Sequence, residues 1–276
     1  MRILGIDIGG TNIKYALVTD GLSVLETGSV ESDAKFGAER LLKNVCAVCD
    51  RHSFDALGVS TAGIVGKDGE IAYANENIPK YTGTPLKKRL EEKYGVPVYV
   101  LNDIAAGALA ETDGQREYYY LALGTGVGGM YVRGNEAFSG ASGQAGQIGY
   151  LPSKNGTSIV DKTVSTAGLE RLGKDTAKRL FERAETGDQA AVAALSAWRE
   201  EFVHLCAWIV GLYNPSEIVL GGGISEQKEK LLRFLEAGLD GLPVPYQNTF
   251  RLKTATAGNY AGALGAVKYV KESMKQ

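Results

Sequence analysis

An α/β fold with mixed sheets, organised as two related lobes, is what the sequence predicts. Three observations carry this. Short apolar runs of strand length alternate with stretches whose apolar residues recur at helical spacing. The segments LGIDIGGTNIKYALV and LALGTGVGGMYVRG repeat one design: apolar strand, glycine turn with threonine, apolar strand. Gly9 and Gly124 stand about one domain's length apart in a chain of 276 residues, long enough for two domains meeting at a cleft.

In chain order, ILGIDI (3–8) reads as a buried strand, IKYALVT as its antiparallel partner after the turn, and GLSVLETGSV as a continuation of the sheet. A helix is predicted from Gly37 to Arg51, a strand at ALGVSTAG, and a helix at PLKKRLEEKYG, with Pro85 at its start and Gly95 past its end. VPVYVLND is a strand ending at Asn102-Asp103, and IAAGALAE opens the next helix. The second unit begins near Thr112 with the strand REYYYLALGT, a glycine turn and the strand GMYVRG. A helical stretch from about Ser165 to Leu212 follows, then the strand NPSEIVLGGGIS and a closing helix, NYAGALGAVKYVKESM, with small residues along one face. The expected lobes are 1–112 plus 263–276, and 113–262.

Composition narrows the function classes. A formal net charge of −2 gives no basic field for a nucleic-acid backbone or an anionic membrane. Any bound phosphate must then be held mainly by backbone amides and a metal ion, not by a bank of Lys and Arg. Cys46, Cys49 and Cys206 cannot form a disulfide framework. The C-x-x-C of Cys46 and Cys49 sits among Leu41, Leu42, Val45 and Val48 at helical spacing, so it reads as a helix face rather than a redox motif. This cysteine usage fits a reducing, cytoplasmic compartment. Asp7 interrupts the N-terminal apolar run, against a secretory leader. The longest apolar stretch, FVHLCAWIVGLY, contains His204 and reads as a buried helix rather than a membrane span.

The glycine turns carry the chemistry. A turn of Gly9, Gly10 and Thr11, or of Gly124, Thr125, Gly126 and Gly128, exposes backbone N–H groups with no side chain in the way, and the threonine hydroxyls add donors. Such concavities suit phosphate oxygens. For either hairpin alone an ordinary tight turn explains the glycines equally well; two of them, with Gly221, Gly222 and Gly223 at a third strand end, favour a nucleotide. The third cluster is the candidate adenosine contact, since a flat base can lie against glycine backbone. Asp7 cannot donate to phosphate and is read as orienting Mg²⁺ through its water shell. Gly124, Gly126 and Gly129 match G-x-G-x-x-G, yet a strand rather than a helix follows; Gly168 to Lys174 matches G-x-x-x-x-G-K, but Asp175 stands where a P-loop needs Ser or Thr.

At these residues the chain resembles the ROK family of bacterial sugar kinases and repressors, a branch of the actin/hexokinase-like ATPase group, over essentially its whole length. Asp7-Ile-Gly9-Gly10-Thr11 with Lys14 is similar to the family's first phosphate motif, Leu123 to Gly129 to the second, NPSEIVLGGGIS to its adenosine segment and AGALGAV to its closing helix. The resemblance implies the actin-like ATPase (ribonuclease H-like) fold, two α/β lobes around a central cleft, with ATP and Mg²⁺ as cofactors, a small-molecule sugar as substrate, and a homodimer. It also implies that Asp103 is the catalytic base, beside the sugar-contacting Asn102. A carboxylate within reach of a sugar hydroxyl can take its proton as the bond to phosphorus forms. Asp103 also suits a helix N-cap, and the two roles are compatible. Where the family often has an Asn two residues after the Asp, this chain has Ala105.

The sugar-contact region departs from the family. Gly-Glu-Ile-Gly-His appears as Gly146-Gln147-Ile148-Gly149-Tyr150, so Gln147 and Tyr150 become the expected contacts. The family's cysteine-rich zinc stretch is replaced by LPSKNGTSIVDKTVS; no structural zinc is expected, and packing or hydrogen bonds must order this loop. Asp161 aligns with a sugar-binding Glu, Asn77 with a sugar-contacting Asn, and Gly63 with backbone near the sugar. Zinc-less relatives with this Tyr are similar to kinases for N-acetylmannosamine, β-glucosides or glucose. The expected function is therefore ATP-dependent phosphorylation of a hexose or hexose derivative at its 6-hydroxyl. The alternatives are a sugar-binding family member with little catalysis and a polyphosphate-dependent glucokinase. A repressor is disfavoured, because the first phosphate strand starts at residue 3, ahead of which a helix-turn-helix would have to fit.

Overall fold

A computed structural model describes residues 1–275. In chain order the elements are β1 (Arg2–Ile8), β2 (Asn12–Thr19), β3 (Val24–Glu31), α1 (Ala38–Cys49), β4 (Ala56–Thr61), β5 (Ile64–Val65), β6 (Ile71–Tyr73), α2 (Leu86–Tyr94), β7 (Val98–Asn102) and α3 (Asp103–Ala110). They continue with β8 (Glu117–Leu123), β9 (Val127–Arg133), β10 (Glu136–Ala137), α4 (Val160–Thr163), α5 (Thr166–Gly173), α6 (Ala177–Glu185) and α7 (Gln189–Tyr213). The last are β11 (Glu217–Gly221), α8 (Glu229–Glu236), β12 (Arg251–Thr254) and α9 (Ala261–Ser273).

By contact the chain divides into two compact units. The first holds Met1–Gln115, Gly134–Ala145 and the residues from Thr256 onward; the second holds Arg116–Arg133 and Gly146–Ala255. Relative to the boundaries expected from the sequence, segments 113–115, 134–145 and 256–262 lie with the first unit. Hydrogen bonds explain this: Thr112 donates its hydroxyl to Gly134 O, and the buried Glu111 carboxylate accepts the N–H groups of Thr256 and Ala257, each at 2.8 Å.

The first unit is a sheet of order β3-β2-β1-β4-β7. β1, β2 and β3 pair antiparallel, whereas β1, β4 and β7 run parallel, so their C-terminal ends share one edge. One face is covered by α1 and α2, whose Leu41, Leu42, Val45, Leu86 and Leu90 are buried against the strands. The other is covered by α9, through Ala263, Val267 and Val270. Two strand glycines permit that helix to approach: a Cβ on Gly5 would stand 2.2 Å from Ala263 O, and one on Gly58 2.5 Å from Ala266 O. The small-residue face of AGALGA meets α3 as well, with Gly265 against the Ala106 carbonyl.

The second unit contains the order β9-β8-β11-β12, with β8/β9 antiparallel and β8, β11 and β12 parallel. This is the arrangement of β2-β1-β4-β7, so the repeated hairpin of the sequence is a repeated sheet. Its core is larger and includes Trp198, Phe202, Leu205 and Ile209 of α7. The helical stretch expected from Ser165 to Leu212 is three helices. Lys174 ends α5 in the left-handed region (φ 53°), and the side chains of Thr176 and Asp188 cap α6 and α7. FVHLCAWIVGLY lies within α7, and among the described residues no helix is long and apolar enough to cross a membrane.

Candidate active site

In the first unit the parallel strands β1, β4 and β7 end side by side, and polar residues sit at each end. Asp7 pairs in register with Ser60, whose buried hydroxyl donates to Asp7 Oδ1 at 2.8 Å. Thr61 pairs with Asn102, the last residue of β7. The chain then turns into α3, and Asn102, not Asp103, is its N-cap: Asn102 Oδ1 accepts the Ile104 N–H at 2.9 Å. Asp103 Oδ1 also accepts the Ile104 N–H at 2.9 Å, from inside the first turn. A helix cap must lie outside the first turn with extended backbone, and Asn102 (φ −66°, ψ 149°) meets that condition one residue earlier. Asn102 Nδ2 donates to Asp103 Oδ1 and to Gly63 O, both at 2.8 Å. Gly63 is at φ +99°, where a Cβ would strike the Tyr73 carbonyl at 2.6 Å. Asn102 therefore holds the Asp103 carboxylate to the β4 end.

Burial dominates the electrostatics. It pushes the Asp103 carboxyl up to about 6, helped by the charge of Asp7 and opposed by the Ile104 N–H and Asn102. Asp7 is also raised, first by burial, against the Ser60 hydroxyl and the Lys14 charge. Lys14 faces Asp7 across the hairpin but donates to Asn259 Oδ1 at 2.6 Å, beside the start of α9. The turn of Gly9, Gly10 and Thr11 is braced from β3's end. Ser32 donates its hydroxyl to Gly10 O at 3.0 Å and its N–H to Thr11 O at 2.9 Å. Because N–H and C=O of a trans peptide point oppositely, the Thr11 N–H is directed away from Ser32. Gly10 has open space where a Cβ would stand.

In the second unit the turn of Gly124, Thr125 and Gly126 joins β8 to β9. Gly124 N–H donates to Gly126 O at 3.0 Å, and Gly124 O accepts the Ala167 N–H at 3.2 Å, so the Thr125 N–H points away from α5. Thr125 is exposed, Gly124 is open, and Gly128 pairs with Ala122 inside the hairpin. β11 brings the third glycine cluster alongside. Gly221 pairs with Ala122, a Cβ on Gly222 (φ +84°) would lie 2.2 Å from Leu123 O, and Gly223 is open. The second and third glycine clusters thus share one edge of the second sheet.

Gly146 (φ +92°) is pinned to β9, its carbonyl accepting the Gly129 N–H at 2.9 Å, and the segment it starts carries Gln147 and Tyr150, both exposed. The loop beyond is ordered by hydrogen bonds. Pro152 bridges to Ile159, Asn155 Oδ1 accepts from Ser153 Oγ and from the Thr157 N–H and hydroxyl, and Lys154 reaches Glu200 at 2.7 Å. Asp161 accepts the Val127 N–H at 2.7 Å. Asn77 is exposed on the loop after β6, with its N–H donated to Asn75 Oδ1 at 3.1 Å. Sequence reasoning missed Ser60, Ser32 and Asn259. Ser60-Thr61, the polar end of an otherwise apolar strand, was a legible signal; the other two act at long range and left none.

The family model described as ROK family matches residues 3–273. An uncharacterized protein of Clostridium perfringens is 32% identical over 98% of both chains. The N-acetylmannosamine kinase of Pasteurella multocida is 27% identical over 100% of this chain and 98% of its own. Among solved structures, a ROK family glucokinase from Streptomyces griseus in complex with glucose and AMPPNP superposes with TM-score 0.78 at 26% identity, covering 98% of this chain and 99% of that one. With its family model matched from the first strand to the last helix, this chain belongs to the ROK family.

Proposed function

We propose that the protein is an ATP-dependent sugar kinase that phosphorylates a hexose or hexose derivative at its 6-hydroxyl. Relatives named for kinase activity on glucose and N-acetylmannosamine support the class. The observation that carries the chemistry is Asp103, a strand-end carboxylate fixed by Asn102 and held near neutrality by burial. In this reading the hydroxyl oxygen attacks the γ-phosphorus, its bond to the leaving ADP oxygen breaks, and Asp103 takes the hydroxyl proton. Turn residues Gly9, Gly10, Thr11, Gly124, Thr125 and Gly126 offer donors to phosphate oxygens, with Lys14 held nearby by Asn259, and Gly221 to Gly223 receive the adenosine. Gly63, Asn77, Asn102, Gln147 and Tyr150 contact the sugar.

The residues at the first unit's strand ends fit a magnesium ion. Two acids, at the end of β1 and just past the end of β7 with β4 between them, one raising the other's pKa, make a hard-oxygen, anionic environment that a divalent cation neutralises. Asp7 would hold Mg²⁺ through its water shell, and the ion would screen phosphate charge. A cytoplasmic homodimer completes this reading; light scattering of the purified protein tests the dimer.

A coupled ADP-release assay over glucose, N-acetylhexosamines and β-glucosides, with ATP and polyphosphate as alternative donors, tests the function. Sugar-dependent ADP release is expected, and its absence with every sugar and donor refutes it. The neutral Gln147 and Tyr150 favour a second reading, a sugar-binding protein with little catalysis. Calorimetry showing sugar affinity without ATP affinity would establish that one instead.

A further inference from the structure

In the second unit one side chain links the segment carrying Gln147 and Tyr150 to the 124–126 turn. Asp161, half-buried on α4, accepts the Val127 N–H with Oδ1 at 2.7 Å. The same oxygen lies 2.6 Å from where a Cβ on Gly126 would stand and 2.9 Å from that point on Gly149. A single carboxylate oxygen is thus wedged between the turn and the 146–150 segment, and only glycine fits at either contact without displacing it.

The surrounding stretch fastens the turn's other arm. Thr166 donates its hydroxyl to Leu123 O at 2.9 Å, and Ala167 its N–H to Gly124 O at 3.2 Å. Ser165, fully buried, donates to Asp161 O at 2.7 Å and accepts the Gly168 N–H at 2.9 Å, so hydrogen bonds tie α4 to the start of α5. A carboxylate is a poor neighbour for a polyphosphate by charge alone. One that accepts a backbone N–H of the turn contributes to the turn's shape, and a charged acceptor makes a strong bond of this kind.

We propose that Asp161 is a positioning residue for the phosphate turn, coupling it to the 146–150 segment, rather than a direct sugar ligand. This rests on the kinase reading above. The test is calorimetry of AMPPNP with Mg²⁺ and no sugar, on wild type, Asp161→Ala and Asp161→Asn, alongside sugar kinetics and thermal melts. Asp161→Ala is expected to weaken nucleotide binding about tenfold, the worth of one charge-assisted bond, and to lower kcat. Its sugar KM should stay within about threefold. Asp161→Asn, whose amide oxygen can accept the same N–H, should recover most of the nucleotide affinity. Unchanged nucleotide affinity in Asp161→Ala with a raised sugar KM overturns the proposal.

Should Asp161→Ala not fold, Gly126→Ala decides alone, because it forces the Asp161 oxygen aside and should reproduce the loss of affinity; unaltered affinity overturns the proposal. Where both fold, their effects should be non-additive, and full additivity counts against the coupling. A wild type that binds nucleotide but phosphorylates no sugar sinks the kinase reading, while the affinities still decide the role of Asp161. A wild type that binds no nucleotide overturns both.

Discussion

Replacing Asp103 by Asn should abolish turnover and at the same time stabilise the protein. The two effects share a cause. Burial and the Asp7 charge hold the carboxyl at about 6 rather than its ordinary 3.8. A carboxyl whose folded pKa lies above its unfolded value binds protons more tightly in the native state. Its ionisation therefore costs stability, and the cost grows as pH rises from near 4 through 6 and is complete above that. At neutral pH the ceiling is on the order of 3 kcal/mol, and the desolvated amide that replaces the carboxylate retains part of the penalty, so a gain of roughly 1–2 kcal/mol is expected. Asparagine can still accept the Ile104 N–H, so the helix start is kept. Denaturant melts at pH 7 and pH 4 measure the gain, which should shrink at pH 4, close to the ordinary carboxyl value of 3.8, where the folded-state carboxyl is protonated and most of the cost of ionising it is gone. Turnover should fall about 10²–10⁴-fold, the usual worth of a general base. In the wild type, kcat/KM should drop about tenfold per pH unit below about 6 and level off above it. A variant that is destabilised equally at both pH values, or one that keeps its turnover, refutes the argument.

Three further outcomes follow from the same geometry. Asp7→Asn removes the charge that helps raise Asp103, so the acid limb of kcat/KM should move to lower pH; a limb that stays or moves up contradicts the coupling. Gly265→Ala would put a Cβ 1.7 Å from Ala106 O at the α3–α9 contact, and thermal melts should show a loss of about 1–3 kcal/mol or more. Thiol oxidants and reductants should leave wild-type activity unchanged, as should Cys46→Ser with Cys49→Ser, since burial pushes Cys49 up to about 12 and denies it thiolate character; Cys46 should react before Cys49 with a thiol reagent.

Much of the fold was legible because its signals are local. Apolar runs of strand length and the Pro85 and Gly95 boundaries of α2 are set by neighbouring residues, and the structure follows them. The repeated hairpin was legible because both turns carry the same glycine and threonine pattern between apolar strands. G-K-D at 173–175 with Thr176, and T-G-D at 186–188, could have divided the long helical stretch, since both end in a capping side chain. The Asn102-Asp103 pair marked the strand end correctly, but which of two adjacent cap-competent residues stands outside the first turn depends on backbone angles the sequence does not show. Asp161 illustrates the deeper limit. Its Oδ1 accepts the Val127 N–H, a bond made across 34 positions that no local pattern announces. The clamps by Glu111 on Thr256 and Ala257 are equally non-local.

Phosphorus NMR with mass spectrometry of the products from ATP, Mg²⁺ and each sugar tests the central claim most directly. Equal amounts of ADP and a hexose phosphorylated on its 6-oxygen are predicted for at least one sugar, and none with Asp103→Asn. ADP accompanied only by inorganic phosphate, or product formed undiminished by the variant, would contradict it.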